Sequence, residues 1–424
     1  MSNEKEGMLM QPEKKEDFVP KLRFPEFLGA GSWGAGELRT VATFVNEKIP
    51  VNQVALKNYI STENILPDYG GITQASKLPN VSSVTRFKPT DTLVSNIRPY
   101  LKKIWYSNKE GGVSNDVIVI RAKQGYLAEY LSHLLKNDSF IDYVMIGAKG
   151  VKMPRGDVDS IRKYPTPIPS RKEQKKIADC LSSIDELITL EAQKINALKA
   201  NKNGLMQKLF PAEGENLPKL RFSEFKEDVA WTETTIGKIG SFYYGKSAPK
   251  WSLADDAPTR CVRYGELYTK FDAVITETYS RTNVNPSNLR FSKGGEILVP
   301  RVGEKPEDFG RCCCYLPLKD IAIGEMISVF ETKQNSLFYT YYFKSLYKQF
   351  AKVVEGQNVK NLYYAELEPL SICQPSLPEQ KKIADLLASL DAVISAQSQK
   401  VDALKIHKKA LMQRLFPKVV GAHA

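Results

Sequence analysis

Residues 173–211 of the chain read EQKKIADCLSSIDELITLEAQKINALKANKNGLMQKLFP, and residues 379–417 read EQKKIADLLASLDAVISAQSQKVDALKIHKKALMQRLFP. The two segments align without gaps at an offset of 206 residues, and 23 of their 39 positions are identical. A shorter repeat, PKLRF, precedes each segment, at residues 20–24 and 218–222. Self-similarity at a fixed period indicates one structural unit used more than once. The chain of 424 residues therefore contains a unit of about 200 residues that is present twice.

Both 39-residue segments are predicted to be long helices with one apolar stripe. Their apolar residues recur at spacings of mostly four and three, which is the heptad pattern of a coiled-coil seam. Each segment follows a proline-rich lead and ends at Leu-Phe-Pro, where proline cannot continue a helix. The seam of the first segment comprises Ile177, Leu181, Ile184, Ile188, Ile195, Leu198, Leu205 and Leu209. The seam of the second comprises Ile383, Leu387, Leu390, Ile394, Val401, Leu404, Leu411 and Leu415.

Polar residues interrupt the two seams at equivalent positions, Glu191 with Gln397 and Lys202 with Lys408. Such residues lower the stability of a coiled coil but can specify its register and partner. The matching interruptions favour two helices that pair with each other. The alternative is two amphipathic helices that pack separately on globular domains, because two copies of one gene segment would match in any case.

The stretches that precede the helices, residues 36–170 and 236–376, share little beyond a common pattern. Short β-branched runs between turn residues predict strands at residues 91–97, 116–121, 296–299 and 326–330. Helices are predicted at residues 127–135 and 337–350. We therefore predict an α+β chain in which two mixed α/β domains are separated by two long helices, as a pseudo-twofold internal repeat. The predicted segments are a disordered tail at 1–19, a domain at 20–170, a helix at 171–211, a domain at 212–377, a helix at 378–417 and a tail at 418–424.

The charge balance of the chain indicates a polyanionic partner. The sequence has 60 Lys and Arg residues against 48 Asp and Glu residues, a net charge of +12 with a pI near 9.1. A positive excess of this size favours nucleic acid, although a solvated basic surface is the alternative. The longest apolar runs are far shorter than the ~20 residues of a membrane span, and residues 1–17 lack the apolar segment of a signal peptide. We expect a cytoplasmic protein without a membrane partner.

The sequence contains no convincing catalytic or metal-binding motif. Its six cysteines form no C-x-x-C pair, and it has three histidines, so buried free thiols are predicted instead of a zinc site. Residues 240–247, GSFYYGKS, match the phosphate-loop pattern, but three aromatic residues crowd the loop and Pro249 opposes a helix start. Glu331-x-Lys333 matches half of a nuclease motif that is common by chance. No Asn/Asp-Pro-Pro-aromatic methyltransferase loop is present. We predict a chain without catalytic residues, metal or bound cofactor.

Clusters of cations, amides and aromatic residues on loops after strands are the candidates for DNA contact. Arg can bind a guanine edge through two hydrogen bonds and Asn an adenine edge, whereas Lys mostly neutralises phosphate. In the first domain the candidates are Asn96, Arg98, Tyr100, Lys102, Lys103, Lys149, Lys152 and Arg155. In the second they are Arg260, Arg263, Tyr264, Arg301, Lys305, Gln357 and Lys360. For a single residue, a solvated surface position or an internal ion pair is the alternative.

Taken together, these motifs resemble the conserved regions of type I restriction–modification specificity (S) subunits. The resemblance rests on the Pro-rich leads, the EQKKIAD starts, the LMQ(K/R)LFP ends and the LRFxEF starts at residues 22–27 and 220–225. Residues 94–103, 114–117 and 263–269 also resemble recurring patterns of target-recognition domains. The resemblance covers residues 20–417. The second domain lacks the Arg-Pro-Tyr-x-Lys-Lys run of the first, which makes its contacts harder to transfer.

The resemblance implies a non-catalytic subunit whose two recognition domains each bind one half of an asymmetric, bipartite site in double-stranded DNA. It implies that the two helices pair as an antiparallel coiled coil, set the spacing of the half-sites and dock two methyltransferase (modification) subunits. Restriction subunits with translocase and endonuclease activity would join them. S-adenosylmethionine, ATP and magnesium would belong to those partners. A stand-alone DNA-binding protein of the same architecture, such as a repressor, is the alternative, and it would bind its site tightly without a methyltransferase.

Overall fold

The computed structural model describes residues 18–246 and 248–417. The chain folds into two compact units. Unit 1 is formed by Met1–Glu191 together with Lys400–Ala424, and unit 2 is formed by Ala192–Gln399. The predicted tails fall mostly on residues 1–17 and 418–424, which lie outside the described residues, as does Ser247. Phe18, assigned above to the tail, is buried, and its carbonyl accepts a hydrogen bond from the Trp33 amide at 2.9 Å.

The described residues of unit 1 form ten strands. Their bounds are β1 Gly34–Glu37, β2 Ala42–Phe44, β3 Lys48–Pro50, β4 Tyr59–Ile60, β5 Ser83–Phe87, β6 Thr92–Ser95, β7 Ile104–Tyr106, β8 Gly111–Val113, β9 Val117–Ala122 and β10 Pro165–Ile168. The helices that start in it are α1 Leu38–Val41, α2 Ala128–Leu135, α3 Asp138–Ile146, α4 Val158–Arg162 and the long α5 Arg171–Leu209. The strands form two four-stranded sheets, ordered β2-β9-β6-β7 and β3-β5-β8-β4, and the pair β1-β10.

Unit 2 contains the remaining strands. Their bounds are β11 Thr232–Thr235, β12 Gly240–Tyr244, β13 Thr259–Val262, β14 Ser280–Thr282, β15 Glu296–Pro300, β16 Val302–Gly303, β17 Cys314–Leu316, β18 Ala322–Ile323, β19 Ile327–Thr332, β20 Lys360–Asn361 and β21 Ser371–Gln374. Its helices are α6 Ile236–Ile239, α7 Tyr264–Thr269, α8 Asp308–Arg311, α9 Ser336–Ser345, α10 Tyr347–Lys352, α11 Tyr364–Leu367 and the long α12 Leu377–Leu415. The predicted mixture of helices and strands and the two long helices are confirmed.

One four-stranded sheet and two strand pairs have the same topology in both units although the sequences diverge, whereas the sheet β3-β5-β8-β4 of unit 1 has a three-stranded counterpart, β14-β13-β18, in unit 2. The order β2-β9-β6-β7 in unit 1 corresponds to β12-β19-β15-β17 in unit 2, and the antiparallel pair β1-β10 corresponds to β11-β21. The parallel pair β4-β8 likewise corresponds to β13-β18. The internal repeat therefore extends through the divergent stretches. One predicted helix differs: residues 337–350 form α9 and α10, which are separated at Leu346, so that Phe343 and Phe350 pack against each other at 5.6 Å.

Both ends of the long helices contribute to the unit cores. In unit 1, Ile177 and Leu181 of α5 share a core with Leu415 and Phe416 from the end of α12. In unit 2, Leu209 and Phe210 share a core with Ile383 and Leu387. All sixteen predicted seam residues are buried or half-buried. Burial of apolar area at ~25 cal/mol per Å² is the main favourable contribution to packing of this kind.

Three of the four polar seam residues, Glu191, Lys202 and Lys408, form ion pairs between α5 and α12. In unit 1 the Lys408 ammonium lies 2.6 Å from Asp185 Oδ1, and Lys400 pairs with Glu191. In unit 2 Lys202 pairs with Asp391, which also accepts a hydrogen bond from the Tyr341 hydroxyl at 2.7 Å. Because Asp185 and Asp391 differ by the repeat offset of 206, the same lysine–aspartate contact occurs once in each unit.

The LRF and EQKK motifs are joined by a buried ion pair in each unit, which we call the anchor pair. In unit 1 the Arg23 guanidinium contacts both carboxylate oxygens of Glu173, at 2.7 and 2.8 Å. In unit 2 Arg221 contacts Glu379 in the same way, at 2.8 Å for both oxygens. Hydrogen bonding to the carboxylate raises the pKa of each guanidinium. In each unit, the LRF motif and the EQKK motif therefore contact each other at the start of the long helix.

Candidate nucleic-acid interface

In unit 1 the fold brings the two predicted basic clusters together. The loop that follows β6 lies beside a hairpin at residues 149–155, because the amide of Arg98 donates to the carbonyl of Pro154 at 2.8 Å. An isolated bridge joins Ile97 to Arg155 next to this contact. We call these two segments, residues 96–103 and 149–155, the loop–hairpin surface of unit 1.

The hairpin presents basic and apolar side chains to solvent. Lys149 and Arg155 exchange two backbone hydrogen bonds of 2.9 Å, and Gly150 has a φ of +96°, which favours glycine. Val151, Met153 and Lys152 are exposed at the tip. The Lys149 ammonium lies 3.5 Å from Asp157 and the Arg155 guanidinium 2.6 Å from Asp116, both at exposed positions where ion pairs contribute little.

The loop after β6 has an unusual backbone. Arg98 and Lys102 have φ values of +51° and +54°, a region that costs non-glycine residues on the order of 1 kcal/mol each. The Arg98 Nε is buried and has no hydrogen-bond partner among the described residues. Tyr100, between them, is 49% exposed. Strain and an unpaired donor in one loop are typical of binding sites.

The other candidates in this loop have internal contacts. The Lys102 ammonium lies 2.6 Å from Asp138, and the Lys103 ammonium donates to the carbonyl of Thr62 at 2.8 Å. Asn96 is only 8% exposed, and its buried Oδ1 lies beside Gly156 without a hydrogen-bond partner among the described residues. Lys102 and Lys103 are therefore in supporting positions and Asn96 is buried, whereas Tyr100 and the hairpin are exposed to solvent and Arg98 is half-buried.

Unit 2 has the same arrangement at the repeat offset. Glu355 and Asn361 exchange backbone hydrogen bonds of 2.9 and 2.8 Å, and Gly356 has a φ of +98°; these positions correspond to Lys149, Arg155 and Gly150. Strand β20 of this hairpin pairs with β16, where Gly303 lies opposite Lys360. The loop–hairpin surface of unit 2 comprises residues 301–305 and 355–361. Lys305 and Gln357 are exposed on it.

Arg301 lies within a group of tyrosines at this surface. Its guanidinium carbon is 4.0 Å from the ring centre of Tyr244 and 5.8 Å from that of Tyr363. Tyr364 packs against Tyr244 at 4.6 Å. Burial raises the pKa of the Tyr244 hydroxyl above its usual value. Neither Tyr244 nor Tyr363 was among the predicted site residues. In the sequence, Tyr244 is conspicuous only as one of the aromatic residues that crowd the phosphate-loop match.

The remaining candidates of unit 2 divide between two places. Arg263 precedes α7, where its amide donates to Glu266 at 2.7 Å, and the hydroxyl of Tyr268 in the same helix donates to the carbonyl of Val302 at 3.1 Å. Helix α7, with the exposed Tyr264, therefore adjoins Arg301. Arg260 lies instead in a cleft with Tyr279 and Leu318, so it is not brought to the loop–hairpin surface.

The described part of the chain contains no group of three or more His, Cys, Asp or Glu side chains placed to bind a metal ion. It also contains no helix that is both long and apolar enough to cross a membrane. Residues 240–244 of the phosphate-loop match form strand β12. Glu331 of the nuclease-like tripeptide pairs with Lys293 at 2.8 Å. Burial raises the pKa of the Cys314 thiol to about 12, so this thiol is protonated at neutral pH.

Comparison with known proteins finds relatives that match most of the length of this chain. A family model described as the type I restriction modification DNA specificity domain matches residues 34–200 and 316–405, more than half of the chain. The type I restriction enzyme MjaVIII specificity subunit of Methanocaldococcus jannaschii is 25% identical over 330 residues, which cover 73% of this chain and 75% of the relative. The MjaIX specificity subunit of the same organism is 23% identical over 311 residues, 69% of each chain.

Solved structures show the same fold. A type I restriction-modification S subunit from M. genitalium has a TM-score of 0.58 at 16% identity and covers 95% of this chain and all of that one. A chain from a structure described as the basis of complex assembly and conformational transition of the type I R-M system also has a TM-score of 0.58, at 18% identity, with 91% of this chain and 98% of that one covered. With the family match spanning parts of both units and both long helices, the chain belongs to the type I restriction modification DNA specificity domain family.

Proposed function

We propose that this chain is the DNA-reading subunit of a type I restriction–modification complex, in which each unit contacts one half of a bipartite DNA site. One observation carries the proposal: both units present the same loop–hairpin surface at the same register, with different side chains on it. Lys149 and Lys152 of the first hairpin correspond to Glu355 and Asn358 of the second. Because the backbone arrangement is shared by the two units but the side chains on it differ, the two surfaces suit the recognition of two different half-sites.

The long helices have a separate proposed role. Paired as an antiparallel coiled coil, they would set the distance between the half-sites and provide the surface on which two methyltransferase subunits dock. Restriction subunits would join this assembly. S-adenosylmethionine, ATP and magnesium would be bound by those partners in the cytoplasm, and this chain would contribute recognition of double-stranded DNA alone.

Exchange of one recognition stretch is expected to change one half of the methylated motif. Residues 36–170 would be replaced by the corresponding stretch of a related specificity subunit, which leaves both long helices unchanged. Because the anchor pair and the seam lie outside the exchanged stretch, the hybrid should assemble with the same partner. Methylated motifs in the host genome would be determined by sequencing, before and after the exchange.

The reciprocal exchange of residues 236–376 is the matched control, and it should change only the other half-site. A change in both halves by a correctly assembled hybrid would contradict independent reading by the two units. Tight, site-specific binding by the isolated chain, without a methyltransferase, would instead favour the repressor-like alternative.

Loss of the hairpin lysines is expected to weaken DNA binding without changing the preferred sequence. Each lysine that neutralises a phosphate contributes about 0.9 to the slope of log K against log salt. The variant Lys149→Gln with Lys152→Gln should therefore lower the magnitude of that slope by about 2. Binding of the complex to its methylation motif would be measured by fluorescence anisotropy between about 50 and 200 mM salt.

Lys123 provides the control for the salt experiment. It follows the far end of β9 and donates to the carbonyl of Arg39 at 2.7 Å, whereas Asp116 at the near end of that strand contacts Arg155. Lys123→Gln should leave the salt slope unchanged. An equal slope for the hairpin variant and the wild type would remove the hairpin from the set of phosphate contacts.

A further inference from the structure

The charge of Arg301 in unit 2 is balanced differently from that of Arg311, although a tyrosine ring lies against each of these two arginines. Its guanidinium is half-buried between the rings of Tyr244 and Tyr363, and its one hydrogen bond is a long one, 3.4 Å, to the carbonyl of Glu325. Within residues 18–246 and 248–417 it forms no ion pair with a carboxylate. Most of its N–H donors therefore remain available at the loop–hairpin surface of unit 2.

Arg311 also lies against a tyrosine ring, but its guanidinium is paired with a carboxylate of the same unit. Its guanidinium carbon lies 4.1 Å from the ring centre of Tyr347, as close as Arg301 lies to Tyr244. One of its nitrogens is also 3.4 Å from Glu307, one turn earlier in the chain. Both arginines are thus oriented by a tyrosine, but only Arg301 is left without a carboxylate partner among the described side chains.

An aromatic ring fixes the plane of a guanidinium and leaves its N–H edges free, which lowers the entropy lost when two parallel hydrogen bonds form. A guanine presents two acceptors, O6 and N7, in the major groove, and arginine binds them through two hydrogen bonds. Phosphate contact alone would not require a held plane, because lysine also binds phosphate, as a point charge. The geometry around Arg301 therefore suits a base more than the DNA backbone.

We infer that Arg301 reads a guanine in the half-site contacted by unit 2, and that Tyr244 and Tyr363 are positioning residues that hold its guanidinium in the plane of that base. This inference rests on the proposed function and adds the identity of a base and of the group that reads it. Lys360, opposite Gly303 in the β16-β20 pair, lies on the same surface and neutralises the adjoining phosphates.

The test uses the complex of the full chain with its methyltransferase and duplexes that carry the methylated motif of the host. The half-site of unit 2 is identified by the exchange of residues 236–376. Each guanine in it is then replaced in turn by 7-deazaguanine, which lacks the N7 acceptor, or by hypoxanthine, which keeps O6 and N7 but lacks the minor-groove amino group. For one guanine we expect the deaza substitution to weaken wild-type binding about tenfold, and hypoxanthine to have little effect.

Variants of the chain then test whether Arg301 contacts that guanine. Arg301→Ala and Arg301→Met, which have no side-chain N–H donor, should bind the native duplex about 10- to 100-fold more weakly and should lose their sensitivity to the deaza substitution. Arg311→Ala, which removes an equally stacked arginine, should keep the wild-type sensitivity. Tyr244→Phe retains the ring and should also keep it, whereas Tyr244→Leu should reduce it, which a purely structural role of Tyr244 would not predict.

Two outcomes would overturn the inference while the proposed function stands. One is a half-site of unit 2 that contains no guanine, and the other is a sensitivity of the wild-type complex to 7-deazaguanine that is fully retained in Arg301→Met. A wild-type complex that neither methylates nor binds any defined site would overturn the proposed function itself. The Met variant keeps an unbranched side chain that can pack against the tyrosine rings but has no N–H donor, so it covers the case in which Arg301→Ala fails to fold.

Discussion

Arg221→Met is expected to destabilise unit 2 by about 3–5 kcal/mol, the usual effect of removing one partner from a buried ion pair. The Arg221 and Glu379 side chains are 9% and 0% exposed, so the substitution leaves a buried carboxylate without its partner. The position of Glu379 in the first turn of α12 offsets part of this loss, because the helix dipole favours a negative charge there. Urea unfolding of the purified chain, followed by tyrosine and tryptophan fluorescence, would measure the change.

A double substitution separates the charge effect from the packing effect. Arg221→Met with Glu379→Met removes both charges, so this variant should be more stable than Arg221→Met alone. Lys381→Met breaks an ion pair with Asp385 whose side chains are 70% and 61% exposed, and it should change stability by less than about 1 kcal/mol. A single variant as stable as the wild type would show that the anchor pair is not what holds the LRF motif to the helix.

Lengthening both long helices by one heptad is expected to widen the unspecified spacer of the DNA target by roughly three base pairs. One heptad adds ~10.5 Å at ~1.5 Å per residue, and DNA rises ~3.4 Å per base pair along each strand. Insertions after Glu191 and after Gln399 fall on the boundary between the units, so neither unit is interrupted. A whole heptad also preserves the apolar stripe. The spacer would be measured by sequencing methylated motifs in the host genome.

Rotation limits the size of this effect, because three base pairs also turn the duplex by about 100°. Total methylation should fall even where the spacer preference shifts. The control is a heptad inserted in α5 alone, which prevents the Lys408–Asp185 and Lys202–Asp391 pairs from being in register at the same time and should impair assembly. An assembled double-insertion variant that still prefers the original spacer would show that the helices do not set it.

Several features of the candidate site were predicted from local sequence. The basic segment at residues 149–155 was identified by its charges, and residues 357–360 were identified by their equivalent place in the second copy of the repeat. The strands before each loop, β6 and β15, were predicted from their β-branched residues. These are properties of a few consecutive residues, and local conformational preference is sufficient to reveal them.

The contacts that give each residue its role were not predictable in the same way. Asn96 is buried, Lys102 pairs with Asp138 and Arg260 lies in a separate cleft, although all three match the composition expected of DNA contacts. Arg301 lies 57 positions from Tyr244 in the sequence and stacks on it because β12, β19 and β15 are neighbours in one sheet. No pattern within either segment indicates that pairing.

The sequence by itself determined the internal repeat, the two long helices and the positions of polar residues in their seams, because each of these depends on spacing along the chain. Only the tertiary structure decided that LRF and EQKK form one ion pair across 150 residues in unit 1, that Lys202 and Lys408 contact aspartates, and that loop and hairpin form one surface. The physical reason is that side chains distant in sequence meet only after sheet pairing and helix packing have selected one register. This register is selected by the free energy of burying side chains, which depends on the packing of the whole folded unit.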